Sequence, residues 1–252
     1  MDVMEPITLK TIGDAVSVGY SGKLLGNTQP NFGSDADDNF AKFTAKFPGK
    51  TVYNMPAVGK DSIVDVDSLT PEQLNQIAAD ALITHSPSAL LVIKAADCIP
   101  LVFYVPGQKV LALAHVGTSG AALHLPSKVI ARMGYPAEQI YCYVGPSISQ
   151  KSYRFPPDYD FDHKKLDASW QPYITKEPDG IHINLFGYVI DELKRSGIKE
   201  NNIEVEKVDT GSDAAYFSHR RHKNTGEPDG RNCFGACLVS AVVSVKKTPA
   251  YG

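Results

Sequence analysis

Two residues able to do chemistry together, Cys98 and His115, lie at the ends of two apolar segments. Cys98 precedes IPLVFYV and His115 follows VLALA, with a turn at Pro106-Gly107 between the segments. If the segments pair as an antiparallel hairpin about this turn, the two residues lie roughly opposite each other and can touch. A thiolate and an imidazole at that separation could serve as two zinc ligands, or as a nucleophile and its base.

Both residues also have a purely structural interpretation. Cysteine is among the most frequently buried residue types, and a single histidine near a strand end is commonly a hydrogen-bonded structural group. Spacing by itself leaves both interpretations open.

The elements that must position the pair follow one another irregularly. Helical periodicity with capping residues predicts four helices, at 34–47, 70–82, 125–135 and 182–198. Apolar runs bounded by turn residues predict six strands, at 88–96, 99–105, 109–117, 139–147, 202–208 and 236–245. The order is not that of a regular doubly wound sheet, so the sequence predicts one α+β domain over residues 1–252, with a mixed sheet flanked by helices.

A long polar segment separates the last two predicted strands. Residues 209–234 are rich in Gly, Asp, Asn and Arg and contain few residues to bury. A polar loop of this length between buried strands is more often functional than idle.

Composition excludes several classes of partner. The formal charge is −3 and no Lys/Arg cluster interleaves with aromatic residues, which argues against nucleic acid. No apolar run approaches the roughly 18 residues of a membrane span, and the N-terminus lacks a signal-like segment. Four cysteines in 252 residues do not form a disulfide framework, so we expect a reducing, cytoplasmic location.

Four dispersed motifs carry a family resemblance, namely IKAADCIP, LALAHVGTSG, YVGPSIS and YFSHRRHKNTGEPDGR. In this order and at similar distances, they resemble the motifs of the laccase-domain family, also described as a purine nucleoside phosphorylase and peptidoglycan editing factor family. The resemblance extends from about Asn31 to Leu238.

The resemblance implies an α+β fold, likened to that of toxin deamidases, and a zinc site of two histidines and one cysteine. The family's cysteine falls on Cys98 and its second histidine on His115. Phosphorolysis or deamination of purine nucleosides is the implied activity, with phosphate as a cosubstrate of phosphorolysis. The substrate-binding residues expected from the last motif are Ser218, His219, Arg220, Arg221 and Arg231.

The departures from the family pattern concern the same site. Val58 stands where the family has its first zinc-binding histidine, so the zinc ligand set is incomplete. The arginine that follows the second histidine is lost in the segment Thr118–Gly120, and His219 replaces a tyrosine. Multicopper oxidation is not expected, because the seven histidines are scattered along the chain.

Three hypotheses follow from these observations. The first is a divergent purine-nucleoside enzyme with a zinc site rebuilt around Cys98 and His115. The second is a metal-free amidase or deamidase in which the same two residues act as nucleophile and base. The third is a catalytically degenerate binding or scaffold protein, consistent with the losses at 58 and 118–120.

Overall fold

Two β-sheets packed face to face form the centre of the computed structural model, which describes residues 5–160 and 166–239. Their strands, and those of a small third sheet, are β1 (Ile7–Ile12), β2 (Val16–Ser21), β3 (Thr51–Asn54), β4 (Ile63–Asp65), β5 (Ala81–Thr84), β6 (Ala89–Ala95), β7 (Ile99–Tyr104), β8 (Leu111–Val116), β9 (Tyr141–Val144), β10 (Arg154–Phe155), β11 (Ile174–Glu177), β12 (Gly180–Ile183), β13 (Ile203–Val205) and β14 (Asn232–Leu238). The sheets have strand orders β1-β2-β14-β6-β3, β13-β9-β7-β8-β5-β4 and β10-β12-β11.

Helices cover part of the outer face of each large sheet. The helices of the described residues are α1 (Ala36–Thr44), α2 (Pro71–Leu74), α3 (Thr118–Ala122), α4 (Leu125–Met133), α5 (Leu185–Arg195) and α6 (His219–Thr225). Short 3-10 helices occupy Pro30–Phe32, Ala137–Gln139, Ala168–Tyr173 and Glu200–Asn202. Helix α1 packs Phe43 against the five-stranded sheet, whereas α4 and α5 pack Val129 and Val189 against the six-stranded one. The result is the α+β fold predicted from the sequence.

Strand β7 is apolar throughout because it is buried on both faces. Successive side chains of a strand point to opposite faces. Leu101 and Phe103 therefore face α4 and α5, while Val102 and Tyr104 pack into the interface between the two large sheets. Both faces of β7 and β8 are buried.

The predicted helix at 70–82 is a single turn. Thr70 and Gln73 form the expected capping box, with Gln73 N donating to Thr70 Oγ1 and Thr70 N donating to Gln73 Oε1. The helix ends after the buried Leu74, and Asp80 leads into β5. The prediction was wrong beyond residue 74 because the apolar spacing continues into a segment that adds strand β5 to the sheet.

Replacing Thr70 with alanine is expected to lower the free energy of unfolding by about 1 kcal/mol, because the N-terminal N–H groups of α2 lose their side-chain partner. Urea titration of the purified chain measures the change. Ser68→Ala, at another exposed position two residues earlier, is the control and is expected to stay within about 0.5 kcal/mol of wild type. Equal effects of the two substitutions would show that the capping box does not stabilise this turn.

The predicted polar loop at 209–234 contains helix α6, which periodicity did not reveal because α6 has no buried residue. Ser218 caps its first turn by accepting a hydrogen bond from Arg221 N, and Gly226 ends it in the left-handed conformation, with φ 76°. Strand β14 begins at Asn232, four residues before the predicted start of the last strand. The remainder of that prediction, 240–245, lies outside the described residues.

Within residues 5–160 and 166–239, no helix combines the length and the apolar character needed to cross a membrane.

Candidate active site

Cys98 lies where the chain passes from one large sheet to the other. Strand β6 of the five-stranded sheet ends at Ala95, and β7 of the six-stranded sheet begins at Ile99. The turn between them depends on Asp97, whose φ of 82° lies in the left-handed region that non-glycine residues seldom adopt. This crossing turn places the thiol at the shared edge of the two sheets.

The register of the hairpin differs from the predicted one by two residues. His115 pairs with Pro100, and Ile99 with Val116, so Cys98 lies beside Gly117 rather than directly across from His115. A Cβ at Gly117 would lie 3.0 Å from Cys98 Sγ, so glycine leaves room for the thiol. A shift of two residues keeps side chains on the same face, and Cys98 and His115 still interact across the hairpin.

A third member of the group, Asp80, is contributed by the chain just before β5. Because Ala81 pairs with Ala114, Asp80 is the neighbour of His115 on the side away from β7, and His115 N donates to Asp80 O at 2.8 Å. His115 Nδ1 lies 3.5 Å from Asp80 Oδ1, an ion-pair separation, and the Asp80 side chain is 0% exposed. Asp80, His115 and Cys98 therefore lie on neighbouring strand segments, in this order from the buried interior towards the surface.

The Asp80 carboxylate is fixed by backbone N–H groups of the loop that contains Val58. Val58 N and Gly59 N donate to Oδ1 at 3.2 and 2.8 Å, and Lys60 N donates to Oδ2 at 2.8 Å. The Val58 residue itself is 51% exposed. Since the loop contacts the site through its backbone, its support of Asp80 does not depend on a histidine at position 58.

The surroundings of His115 favour a protonated imidazole. Burial by itself would lower the pKa of His115, but the neighbouring Cys98 and Asp80 outweigh burial and raise this pKa above its ordinary value. Burial by itself would raise the pKa of Asp80, but His115 and the N–H groups of Lys60 and Gly59 outweigh burial and lower it. An imidazolium next to a buried carboxylate can donate a proton to a leaving group.

Asp97 attaches helix α6 to the crossing turn. Its buried carboxylate accepts hydrogen bonds from Arg220 N at 2.6 Å and from Thr210 Oγ1 at 2.9 Å. Burial is the main reason that the pKa of Asp97 is raised, because removal from water disfavours the charged form. The same residue that makes the turn before Cys98 thus holds His219 and Arg220 close to the thiol.

Two cavities meet at Cys98. The first, which we call the Tyr153 cavity, has a volume of about 430 Å³ and is lined by Cys98, Ile148, Tyr153, Leu185, His219, Arg220 and Lys223, among others. The second, the Lys94 cavity, has a volume of about 530 Å³ and is lined by Asn54, Lys94, Cys98, His115, His219 and Arg231, among others. Both volumes are within the range of small-molecule sites.

The structure distributes the five predicted substrate-binding residues unequally. His219 lines both cavities, Arg220 lines the Tyr153 cavity and Arg231 the Lys94 cavity. Arg221 instead forms an ion pair with Glu227 and donates to backbone carbonyls of the 210–216 segment. Ser218 is the buried N-cap of α6. Arg221 and Ser218 therefore shape the loop that carries the other three.

The donor set at Cys98 does not fit a three-ligand zinc site. Cys98 and His115 offer two donors, and the valine at position 58 offers none. Among the described residues, one group of three potential ligands has all its donor atoms within 4.8 Å of one another, and it consists of Asp65, Asp67 and His85. This Asp/His group lies at the opposite end of β5 from Asp80.

The sequence reasoning missed Asp80. The sequence does contain a signal for it, because Asp80 is a single acidic residue directly before the apolar run ALIT. A carboxylate buried at the start of a core strand requires a hydrogen-bond or charge partner.

Comparisons with known proteins identify the class. Residues 24–233 match the family model described as multi-copper polyphenol oxidoreductase laccase. The fold is also that of solved structures, including hypothetical protein YfiH of Bacillus licheniformis, with a TM-score of 0.75 and 22% identity over 89% of this chain and 93% of that one. A Neisseria meningitidis protein gives a TM-score of 0.77 at 18% identity, covering 94% of this chain and all of that one.

This chain belongs to that laccase-domain family. Its similar relatives include a purine nucleoside phosphorylase of Staphylococcus saprophyticus, 29% identical over 71% of this chain and 69% of the relative. A purine nucleoside phosphorylase of Staphylococcus aureus is 30% identical over 70% of this chain and 67% of the relative.

Proposed function

We propose that this chain processes purine nucleosides of the adenosine or inosine type, by phosphorolysis or deamination, at Cys98 and His115. The observation that carries the proposal is the line that runs from the buried Asp80 through His115 to Cys98 and ends at the junction of two cavities of small-molecule size. The names of the similar relatives supply the substrate class.

Both reactions release a nitrogen that must gain a proton. In phosphorolysis a phosphate oxygen bonds to C1′ of the sugar as the bond from C1′ to the purine ring nitrogen breaks. In deamination water adds to C6 of the purine ring and the exocyclic amino group leaves as ammonia. His115 is the proton donor in either case, because Cys98 and Asp80 keep it protonated. Asp80 orients the ring from a buried position, and Cys98 is in contact with both cavities. No step is assigned to a metal, because the donor set is incomplete.

The first test is turnover by the purified full-length chain. Adenosine and inosine are each incubated with and without inorganic phosphate, and products are separated by chromatography. Phosphate-dependent release of the free base would identify phosphorolysis, and phosphate-independent conversion of adenosine to inosine with ammonia would identify deamination. We expect one of these reactions, and we expect it to persist in the presence of a chelator. Absence of both reactions would overturn the proposal.

A second candidate, a metal-free amidase or deamidase, is favoured by one observation. Cys98, His115 and Asp80 have the residue types and order of a nucleophile, a base and an orienting carboxylate. In that reaction the thiolate attacks an amide carbon, ammonia leaves with a proton from His115, and water hydrolyses the resulting thioester.

Mass spectrometry after brief alkylation separates the candidates if nucleosides are not turned over. Fast modification of Cys98, ahead of the three buried cysteines Cys142, Cys233 and Cys237, would favour the amidase. Slow modification of Cys98 would favour a binding protein that no longer uses the thiol. Cys98→Ala identifies the modified peptide.

A further inference from the structure

Three of the predicted substrate-binding residues are arginines, and the structure separates them by their partners. Arg221 pairs with Glu227 at 2.8 Å, and Arg231 pairs with Asp229 at 2.7 Å. Within the described parts of the chain, Arg220 forms no ion pair with a carboxylate, because Asp97 binds its backbone N–H and not its side chain. Arg220 is therefore the arginine of the three whose side-chain charge is not neutralised by a neighbour.

The guanidinium of Arg220 is held in place by aromatic rings, but its hydrogen-bond donors lack partners among the described residues. Its Cζ lies 3.8 Å from the centroid of the Phe155 ring and 5.5 Å from that of Tyr153. Its Nε is shut off from solvent and lacks a hydrogen-bond partner among the described residues. Its two Nη groups are not shut off from solvent and have no hydrogen-bond partner among the described residues, so they can donate to an acceptor that a ligand brings into the Tyr153 cavity. Stacking on an aromatic ring fixes the plane of the guanidinium for such a ligand.

A second cation lies one helical turn further along. Lys223 follows Arg220 by three residues on α6, so the two side chains project from the same face, and both line the Tyr153 cavity. Lys223 is exposed at the rim of that cavity and, in the described residues, has no ion pair. The cavity thus combines the thiol of Cys98 with two cations that have no side-chain ion pair among the described residues. The Asp97 carboxylate in the same lining is bonded to Arg220 N and Thr210 Oγ1.

We propose that Arg220 and Lys223 form an oxyanion subsite of the Tyr153 cavity that binds a phosphate group. Arginine gives bidentate hydrogen bonds to phosphate oxygens, and lysine adds a point charge. The phosphate comes from one of two sources, inorganic phosphate as a cosubstrate or the 5′-phosphate of a nucleotide. Arg231 and the Lys94 cavity take no part in this subsite. The inference deepens the proposed function by assigning one of the two cavities to the anion.

Calorimetric titration of the full-length chain with inorganic phosphate tests the subsite without requiring turnover. Wild type is expected to bind phosphate at millimolar concentration or below, and Arg220→Gln to weaken binding about tenfold or more. Lys223→Gln, which changes an exposed side chain and leaves folding intact, is expected to weaken it by a smaller factor. Arg132→Gln, at an exposed position of α4, is the matched control and should bind as wild type does.

Titration with a nucleoside and with its 5′-monophosphate identifies the source of the phosphate. Tighter binding of the monophosphate than of the nucleoside, lost in Arg220→Gln, assigns the subsite to the substrate. Enhancement of nucleoside binding by inorganic phosphate, lost in the same variant, assigns it to the cosubstrate.

Two results would overturn the subsite, namely no binding of phosphate by wild type, or equal weakening by Arg231→Gln and Arg220→Gln. Failure of the proposed function is distinct from both, since phosphate can bind at Arg220 in a protein that turns over no nucleoside.

Discussion

Replacing His115 with asparagine is expected to lower kcat/KM for purine nucleosides by about 10³-fold, because the reaction loses the group that protonates the leaving nitrogen. Asparagine cannot become charged at neutral pH, so neither Cys98 nor Asp80 can favour a proton at this position. Steady-state kinetics with the nucleoside that wild type turns over measures the change. Rescue of the rate by added imidazole would show that the missing function is proton transfer.

The matched control for this substitution is His124→Asn. His124 has a side chain that is 53% exposed and a left-handed backbone, with φ 58°, that asparagine tolerates. Its kcat/KM is expected to equal that of wild type. A His115→Asn variant that is folded, as judged by circular dichroism, and retains more than about a tenth of wild-type activity would contradict the assigned role.

Replacing Asp80 with asparagine is expected to lower the free energy of unfolding by about 3 kcal/mol at neutral pH. The change removes a buried negative charge that accepts three backbone N–H groups and faces His115. It also places an amide NH₂ group where only acceptors are needed, which leaves a buried donor or a buried N–H without a partner. Guanidinium titration measures the loss.

The pH dependence of stability gives an independent readout of the same charge. The folded pKa of Asp80 is lowered, so its stabilisation is fully present above the unfolded value of about 3.9 and is lost as the pH falls through the folded pKa. Asp80→Asn lacks this contribution at every pH. The difference in stability between wild type and variant is therefore expected to shrink as the pH is lowered below about 4.

The activity of Asp80→Asn shows whether the Asp80 carboxylate orients His115 for the reaction or only stabilises the fold. Loss of the orienting carboxylate is expected to lower kcat by about 10²-fold and to shift the pH profile of kcat to lower pH, because His115 loses a charge that keeps it protonated. A variant that is less stable but has the wild-type kcat and pH profile would restrict Asp80 to a structural role. Asp61→Asn, which removes a carboxylate from the exposed ion pair with Lys128, is the control.

The sequence by itself determined the α+β class, the apolar hairpin of β7 and β8, and the proximity of Cys98 to His115. These predictions succeeded because they depend on local periodicity and on a short turn, which bring residues together without long-range information.

The tertiary structure alone decided which further groups join the pair. Asp80 is separated by 35 positions from His115 and reaches it through the pairing of β5 with β8, a contact that no local pattern encodes. The roles of Arg220 and Arg221, neighbours in sequence, diverge because helix α6 directs one towards the Tyr153 cavity and the other towards the carbonyls of residues 210–216. The residue types were readable from the chain, but their partners depended on sheet pairing and on the attachment of α6 to Asp97.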